Sequence, residues 1–153
     1  MSVLSITPFL WFDANAEDAI KRYQSVFPDT EVIDEQRHPD GSLFIGTIKL
    51  HGTDVTLMNA GPHYKLSEAF SFAVTVDSQE DVDRISDALI AGGGNQSQCG
   101  WLVDAFGLSW QIVPKLLFDL MGDPDREKAG RVQEAMMQMT RLDSAALQAA
   151  YDG

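Results

Sequence analysis

The side chains with obvious chemical capacity are few and scattered: three histidines (His38, His51 and His63) and one cysteine, Cys99. His38 precedes Pro39 in a turn and His51 precedes Gly52 at a hairpin tip, so both are expected on exposed loops. His63 follows a strand and has Tyr64, Lys65 and Glu68 beside it. That group has the makings of a general base or a ligand clamp; the plainer alternative is a solvated or dimer-contact histidine. Cys99 lies between Gln98 and Gly100 in what reads as a short extended segment. No base adjoins it, so a buried structural thiol is expected rather than a nucleophile. Gln111 shares one strand face with Ser109 and Val113, while Trp110 and Ile112 turn to the helices. It is therefore the best-placed polar side chain for a cavity, the alternative being a core glutamine satisfied by backbone groups. Phe9, Trp11 and Trp101 suit an aromatic pocket, or plain core. Met136, Met137 and Met139 recur at helical spacing and read as packing. Gly92-Gly93-Gly94 follows a helix and precedes a strand. A glycine turn for a nucleotide-type methyl donor runs the other way, from strand into helix.

Positioning those groups requires a particular order of elements. The dense apolar run Val3 to Phe12 predicts a strand, with Pro8 marking an edge or bulge. Asn15 is the expected cap of a helix carrying Ala16, Ala19, Ile20, Tyr23 and Phe27, which Pro28 stops. Glu31 to Arg37, Leu43 to Leu50 and Asp54 to Asn59 read as a three-stranded meander. Phe70 to Val76 predicts another strand. Ser78 then caps a helix with the apolar stripe Val82, Ile85, Ala88 and Leu89. Short extended segments follow near Gln96 to Gln98 and Gly100 to Asp104, and then the strand Leu108 to Val113. From Lys115 the pattern is helical, with Asp125 and Asp143 as caps. The chain thus reads as one α+β domain over 1–153. A first βαβββ module with its connecting loop covers 1–69, a second covers 70–114, and a helical tail covers 115–153. Two such modules predict a curved mixed sheet with helices on one side and a concave face on the other.

Composition narrows the partners. A hydrophobic fraction of 44% in 153 residues is ample for a core. A formal charge of −12 opposes binding to nucleic acid or to an anionic membrane surface. No apolar run approaches the roughly 20 residues of a membrane span. The first residues have no basic segment and no long apolar stretch, and a lone cysteine closes no internal disulfide. A cytoplasmic protein is expected.

Several stretches carry a resemblance: Ile6-Thr-Pro-Phe-Leu-Trp-Phe-Asp13, Asn59-Ala-Gly-Pro-His63, Gln98-Cys-Gly-Trp101, Phe106-Gly-Leu-Ser-Trp-Gln-Ile-Val-Pro114, Asp123-Pro-Asp125 and Leu147-Gln-Ala-Ala-Tyr-Asp-Gly153. With them the chain resembles the PhnB-like family, often labelled 3-demethylubiquinone-9 3-methyltransferase domain proteins. This family sits in the vicinal-oxygen-chelate superfamily of glyoxalase I, extradiol dioxygenases and bleomycin-resistance proteins. The resemblance implies the glyoxalase/bleomycin-resistance fold, usually in a homodimer with a cup-shaped site. Metal-dependent members line that cup with His, Gln and Glu, because an open divalent ion chelates two neighbouring substrate oxygens and stabilises the charge that develops. Carried over residue by residue, those positions fall at about Pro8, at Met58 or Asn59, at Ser71 and at Gln111, a set of neutral groups that holds a divalent ion poorly. The expectation is therefore no metal and no cofactor, and a small organic ligand held in the cup by sequestration, as in bleomycin-resistance proteins. Phe9, Trp11 and Trp101 would form apolar walls, and Asn59, His63, Ser71 and Gln111 polar contacts. The alternatives are a divalent-metal lyase, isomerase or dioxygenase, a module whose cup is filled by side chains, and, least supported by the glycine pattern, a methyltransferase.

Overall fold

A computed structural model describes residues 1–153, which divide into two compact units, Met1–Ser67 and Glu68–Gly153. The first unit runs β1 (Phe9–Phe12), α1 (Ala16–Val26), β2 (Glu31–Arg37), β3 (Leu43–Leu50) and β4 (Thr53–Asn59). Its sheet has the order β1-β4-β3-β2, with β1 parallel to β4 and the other pairs antiparallel. The β3–β4 hairpin turns at His51 and Gly52, both at positive φ (43° and 85°), a combination that matches the twist of a tight hairpin. Alternation in β1 sends Leu10 and Phe12 into the core and leaves Phe9 and Trp11 on the other face. Helix α1 buries Ala16, Ala19, Ile20, Tyr23 and Val26. Gly46 makes room for it, since a Cβ there would lie 2.8 Å from Ile20 Cδ1.

Two expectations for this unit change. The apolar run from Val3 pairs only from Phe9 onward, with Pro8 O accepting from Thr56 N at 2.9 Å, while Met1, Val3, Leu4 and Ile6 are exposed. Helix α1 is not capped by the Asn15 side chain, which makes no capping bond. Asn59 Oδ1, at the end of β4, accepts from Ala16 N at 2.9 Å instead.

The second unit repeats the plan with β5 (Ser71–Val76), α2 (Gln79–Ile90), β6 (Asn95–Gln96), β7 (Trp101–Val103) and β8 (Ser109–Pro114). The order is β5-β8-β7-β6, with β5 parallel to β8. Ser78 caps α2 by accepting from Asp81 N, and the helix buries Val82, Ile85 and Leu89. Three further helices follow: α3 (Lys115–Met121), α4 (Arg126–Met137) and α5 (Ser144–Asp152). Asp125 caps α4 through Glu127 N and Lys128 N, and Asp143 caps α5 through Ala146 N. The tail closes on its own core of Val113, Leu117, Leu120, Val132, Leu142 and Leu147. Gln79 ties it to α2, donating to Leu142 O at 3.0 Å and accepting from Ser144 N at 2.8 Å. Arg141 adds an ion pair to Asp87 at 2.7 Å. Two four-stranded mixed sheets with helices make an α+β protein of paired βαβββ units. No helix is long and apolar enough to cross a membrane.

Candidate functional site

The second unit's sheet has one face under α2 and one open face. Trp110 and Ile112 are buried on the helix side. The open face carries Ser71, Ala73 and Thr75 of β5, Ser109 and Gln111 of β8, and Trp101 and Val103 of β7, while Val113, in the same phase of β8, is covered by the helical tail. Gln111 stands level with Ala73 on one side and Trp101 on the other. Its Nε2 donates to Ser71 Oγ at 2.9 Å. Ser71, Gln111 and Trp101, three of the residues singled out from the sequence, thus gather on one surface.

Beside them is a cavity of about 380 Å³, lined by Glu68, Ser97, Gln98, Cys99, Trp101, Leu102, Val103 and Ser109. Most of this wall was missed from sequence. Cys99 is not in a strand: it sits in a single 3₁₀ turn, Gln98–Gly100, at φ 56°, a left-handed conformation uncommon for a residue with a side chain. The turn is held from the tail, with Cys99 N donating to Met139 O (2.9 Å) and Gly100 N to Thr140 O (2.7 Å). Gly100 is obligatory in this arrangement. Its φ is 83°, and a Cβ would lie 2.9 Å from Leu142 and 3.0 Å from Ile112 O.

The β7–β8 connection that presents Ser109 and Gln111 is built around a buried carboxylate. Asp104 is 2% exposed. Its Oδ1 accepts from Phe106 N (2.8 Å) and Leu108 N (3.0 Å), and its Oδ2 accepts from Trp110 Nε1 (2.9 Å). This triple engagement explains the Phe106 to Pro114 stretch physically: glycine turns the loop at φ 93°, and the indole locks it to the acid.

The remaining expected residues belong to the first unit. Trp11 is half-buried and donates from Nε1 to Gly61 O at 2.8 Å. Tyr64 meets it edge-on at 5.0 Å, and His63 meets Tyr64 at 4.5 Å, so Trp11, Tyr64 and His63 form one aromatic group. Phe9 is 56% exposed at the head of β1. Asn59 has a structural task. Beyond capping α1, its Nδ2 donates to Leu43 O at 3.1 Å, so both ends of the amide are engaged by backbone.

The residues at the expected ligand positions do not make a set suited to a divalent ion. Pro8 is in phase with Leu10 on the helix side and has no donor, Asn59 is committed, and Ser71 and Gln111 bond each other. No three His, Cys, Asp or Glu side chains are grouped to hold a metal. Hydroxyls and one amide bind such an ion weakly. The glycine run likewise does not form a methyl-donor cradle. A Cβ on Gly94 would lie 2.5 Å from Val103 O and 2.6 Å from Ile90 Cα, so this glycine lets the end of α2 pack against β7.

A family model described as 3-demethylubiquinone-9 3-methyltransferase matches residues 4–113, which leaves α3, α4 and α5 outside the match. None of the curated proteins matches the sequence. Among solved structures, a PhnB protein from Bacillus cereus is 25% identical, with a TM-score of 0.61 over 72% of this chain and 98% of that one. Protein PA1353 from Pseudomonas aeruginosa is 18% identical, with a TM-score of 0.59 over 73% of this chain and 98% of that one. The fosfomycin resistance protein FosX from Mesorhizobium loti is 13% identical, with a TM-score of 0.52 over 73% of this chain and 92% of that one. The last two are likenesses of fold alone. With the paired βαβββ units and the match over most of its length, the chain belongs to the 3-demethylubiquinone-9 3-methyltransferase family and is PhnB-like.

Proposed function

We propose that this PhnB-like protein binds a small organic molecule, without a metal, on the open face of β5, β8 and β7. The observation that carries the reading is the uncharged Ser71–Gln111 pair beside Trp101, next to a cavity of about 380 Å³. Ligand sites are typically apolar hollows with a few fixed polar groups, and this surface has that character. Gln111 supplies an amide already oriented by Ser71, Trp101 supplies a flat apolar wall, and no charged group is needed to orient a neutral ligand. The aromatic group of Trp11, Tyr64 and His63, with Phe9, is a second surface suited to flat rings on the first unit. The protein is further proposed to act in the cytoplasm and as a homodimer. The apolar Val3, Leu4 and Ile6, exposed in one chain, support self-association, and sedimentation velocity tests it.

The test is a thermal-shift screen of planar and apolar compounds with a chelator present. A ligand at about a hundred times its Kd stabilises the folded state by about 2.7 kcal/mol, enough to register. Substituting Gln111→Ala is expected to abolish the shift. The reading fails if no compound stabilises the protein. It also fails if protein purified without chelator carries a stoichiometric divalent ion on which binding depends.

A further inference from the structure

Three side-chain hydroxyls are buried without a hydrogen-bond partner: Thr30, Ser86 and Ser109. Native folds rarely leave such a group unpaired, so each calls for an explanation. Ser109 lines the cavity of the second unit. It is 1% exposed, at the start of β8, level with Ser71 on one side and Val103 on the other. Its neighbour Ser71 already accepts from Gln111, two residues along the same face.

We infer that the cavity takes an uncharged, largely apolar ring compound bearing one hydroxyl or carbonyl, and that Ser109 Oγ is the hydrogen-bond partner selecting that group. The inference rests on the ligand-binding reading above and adds the class of ligand and the residue that determines it. The wall supports each part. Trp101, Leu102 and Val103 offer a mostly apolar surface. Glu68 is the only charged side chain on the wall, and the chain's formal charge is −12, so an anionic ligand would meet repulsion and no cation. A hydroxyl both donates and accepts, so Ser109 serves an alcohol or a carbonyl equally. Its burial makes that bond count, because bulk water does not compete for it.

Cys99, the chain's single cysteine, lines the same cavity and reports on it. The experiment follows alkylation of Cys99 by iodoacetamide, by intact mass, against increasing α-naphthol or naphthalene, two rings that differ by one hydroxyl. Thermal shift is recorded on the same samples. The expected result is saturable protection by both, with α-naphthol binding about tenfold more tightly, the worth of one well-made buried hydrogen bond. In Ser109→Ala the two compounds should bind alike, with the circular dichroism of the fold unchanged. Equal affinities in the unsubstituted protein overturn the inference, as does a preference that survives in Ser109→Ala. A thermal shift without protection of Cys99 overturns it too, while leaving binding elsewhere on the open face intact. Neither shift nor protection removes both readings.

Discussion

Asp104 should be the most expensive polar side chain to remove from the second unit, and the structure lets the cost be worked out. In Asp104→Ala three donors lose their acceptor: Phe106 N, Leu108 N and Trp110 Nε1. Phe106 is half-buried, so its N–H is the least costly of the three to leave without that acceptor. Leu108 and Trp110 are both 1% exposed, and their donors would be left in the interior. Each orphaned buried donor costs about 1–3 kcal/mol, so the two together should cost about 2–6 kcal/mol, centred on about 4. That is a large part of a typical domain's net stability of about 5–15 kcal/mol. With a urea m-value of about 2 kcal/mol per molar, the midpoint should fall by about 2 M. Asp104→Asn should cost less, about 1–3 kcal/mol, because its oxygen still serves the two backbone donors while its amide N–H₂ faces the indole N–H. Trp110→Phe removes that donor-to-donor conflict. The Asp104→Asn/Trp110→Phe pair should therefore be less destabilised than the sum of its singles, by about 1 kcal/mol in a double-mutant cycle. Urea unfolding followed by circular dichroism measures all of these. A loss below about 1 kcal/mol for Asp104→Ala, or strict additivity in the cycle, would refute the latch.

Other outcomes follow from the same contacts. Asn59→Ala should destabilise the first unit by about 2 kcal/mol in urea unfolding, losing a helix cap and the bond to Leu43 O; a change under about 0.5 kcal/mol would contradict that role. Gly100→Ala should cost about 2–4 kcal/mol, combining a disfavoured φ with overlap on Leu142 and Ile112 O. Because it displaces the turn, it should also change the alkylation rate of Cys99. The pH response of the tail should carry the mark of Tyr151, whose hydroxyl donates to Asp123 at 2.6 Å. That bond holds the Asp123 carboxyl below its usual range and pushes the Tyr151 phenol up. The Asp123 contribution is complete above the unfolded carboxylate value of about 4 and is lost as pH falls through the lowered folded value. The Tyr151 contribution is complete below about pH 10 and fades as pH rises through the raised folded value. Tyr151→Phe should remove the alkaline limb and weaken the acid one in unfolding curves across pH. An unchanged profile would count against the pairing.

What was legible in the sequence is what depends on near neighbours. Ser78, Asp125 and Asp143 cap helices three residues or fewer ahead of the donors they serve, so residue type and spacing suffice to find them. The alternation around Gln111 placed Ser109 and Val113 on its face for the same reason. The failures are long-range. Asn15 has the right chemistry for a cap, but Asn59 arrives from the end of β4, 43 residues away along the chain. The run from Val3 has strand composition, yet β4 offers pairing only opposite Phe9 to Phe12. Cys99 looked like strand because nothing local announces a left-handed turn there, and the carbonyls that hold it come from Met139 and Thr140. The cavity was illegible for the same reason, since its wall joins Glu68 to the 97–103 segment and β8.

The attachment of that turn to the helical tail means the hollow has two separately adjustable parts. Its floor is strand, inside the stretch the family shares. Its rim hangs from two carbonyls in a segment beyond that stretch. Substitutions in α4 or in the link to α5 can therefore widen, narrow or loosen the entrance while leaving the floor's donors and acceptors in register. Under the proposed function, selectivity is open to retuning from a distance, by residues outside the wall of the hollow.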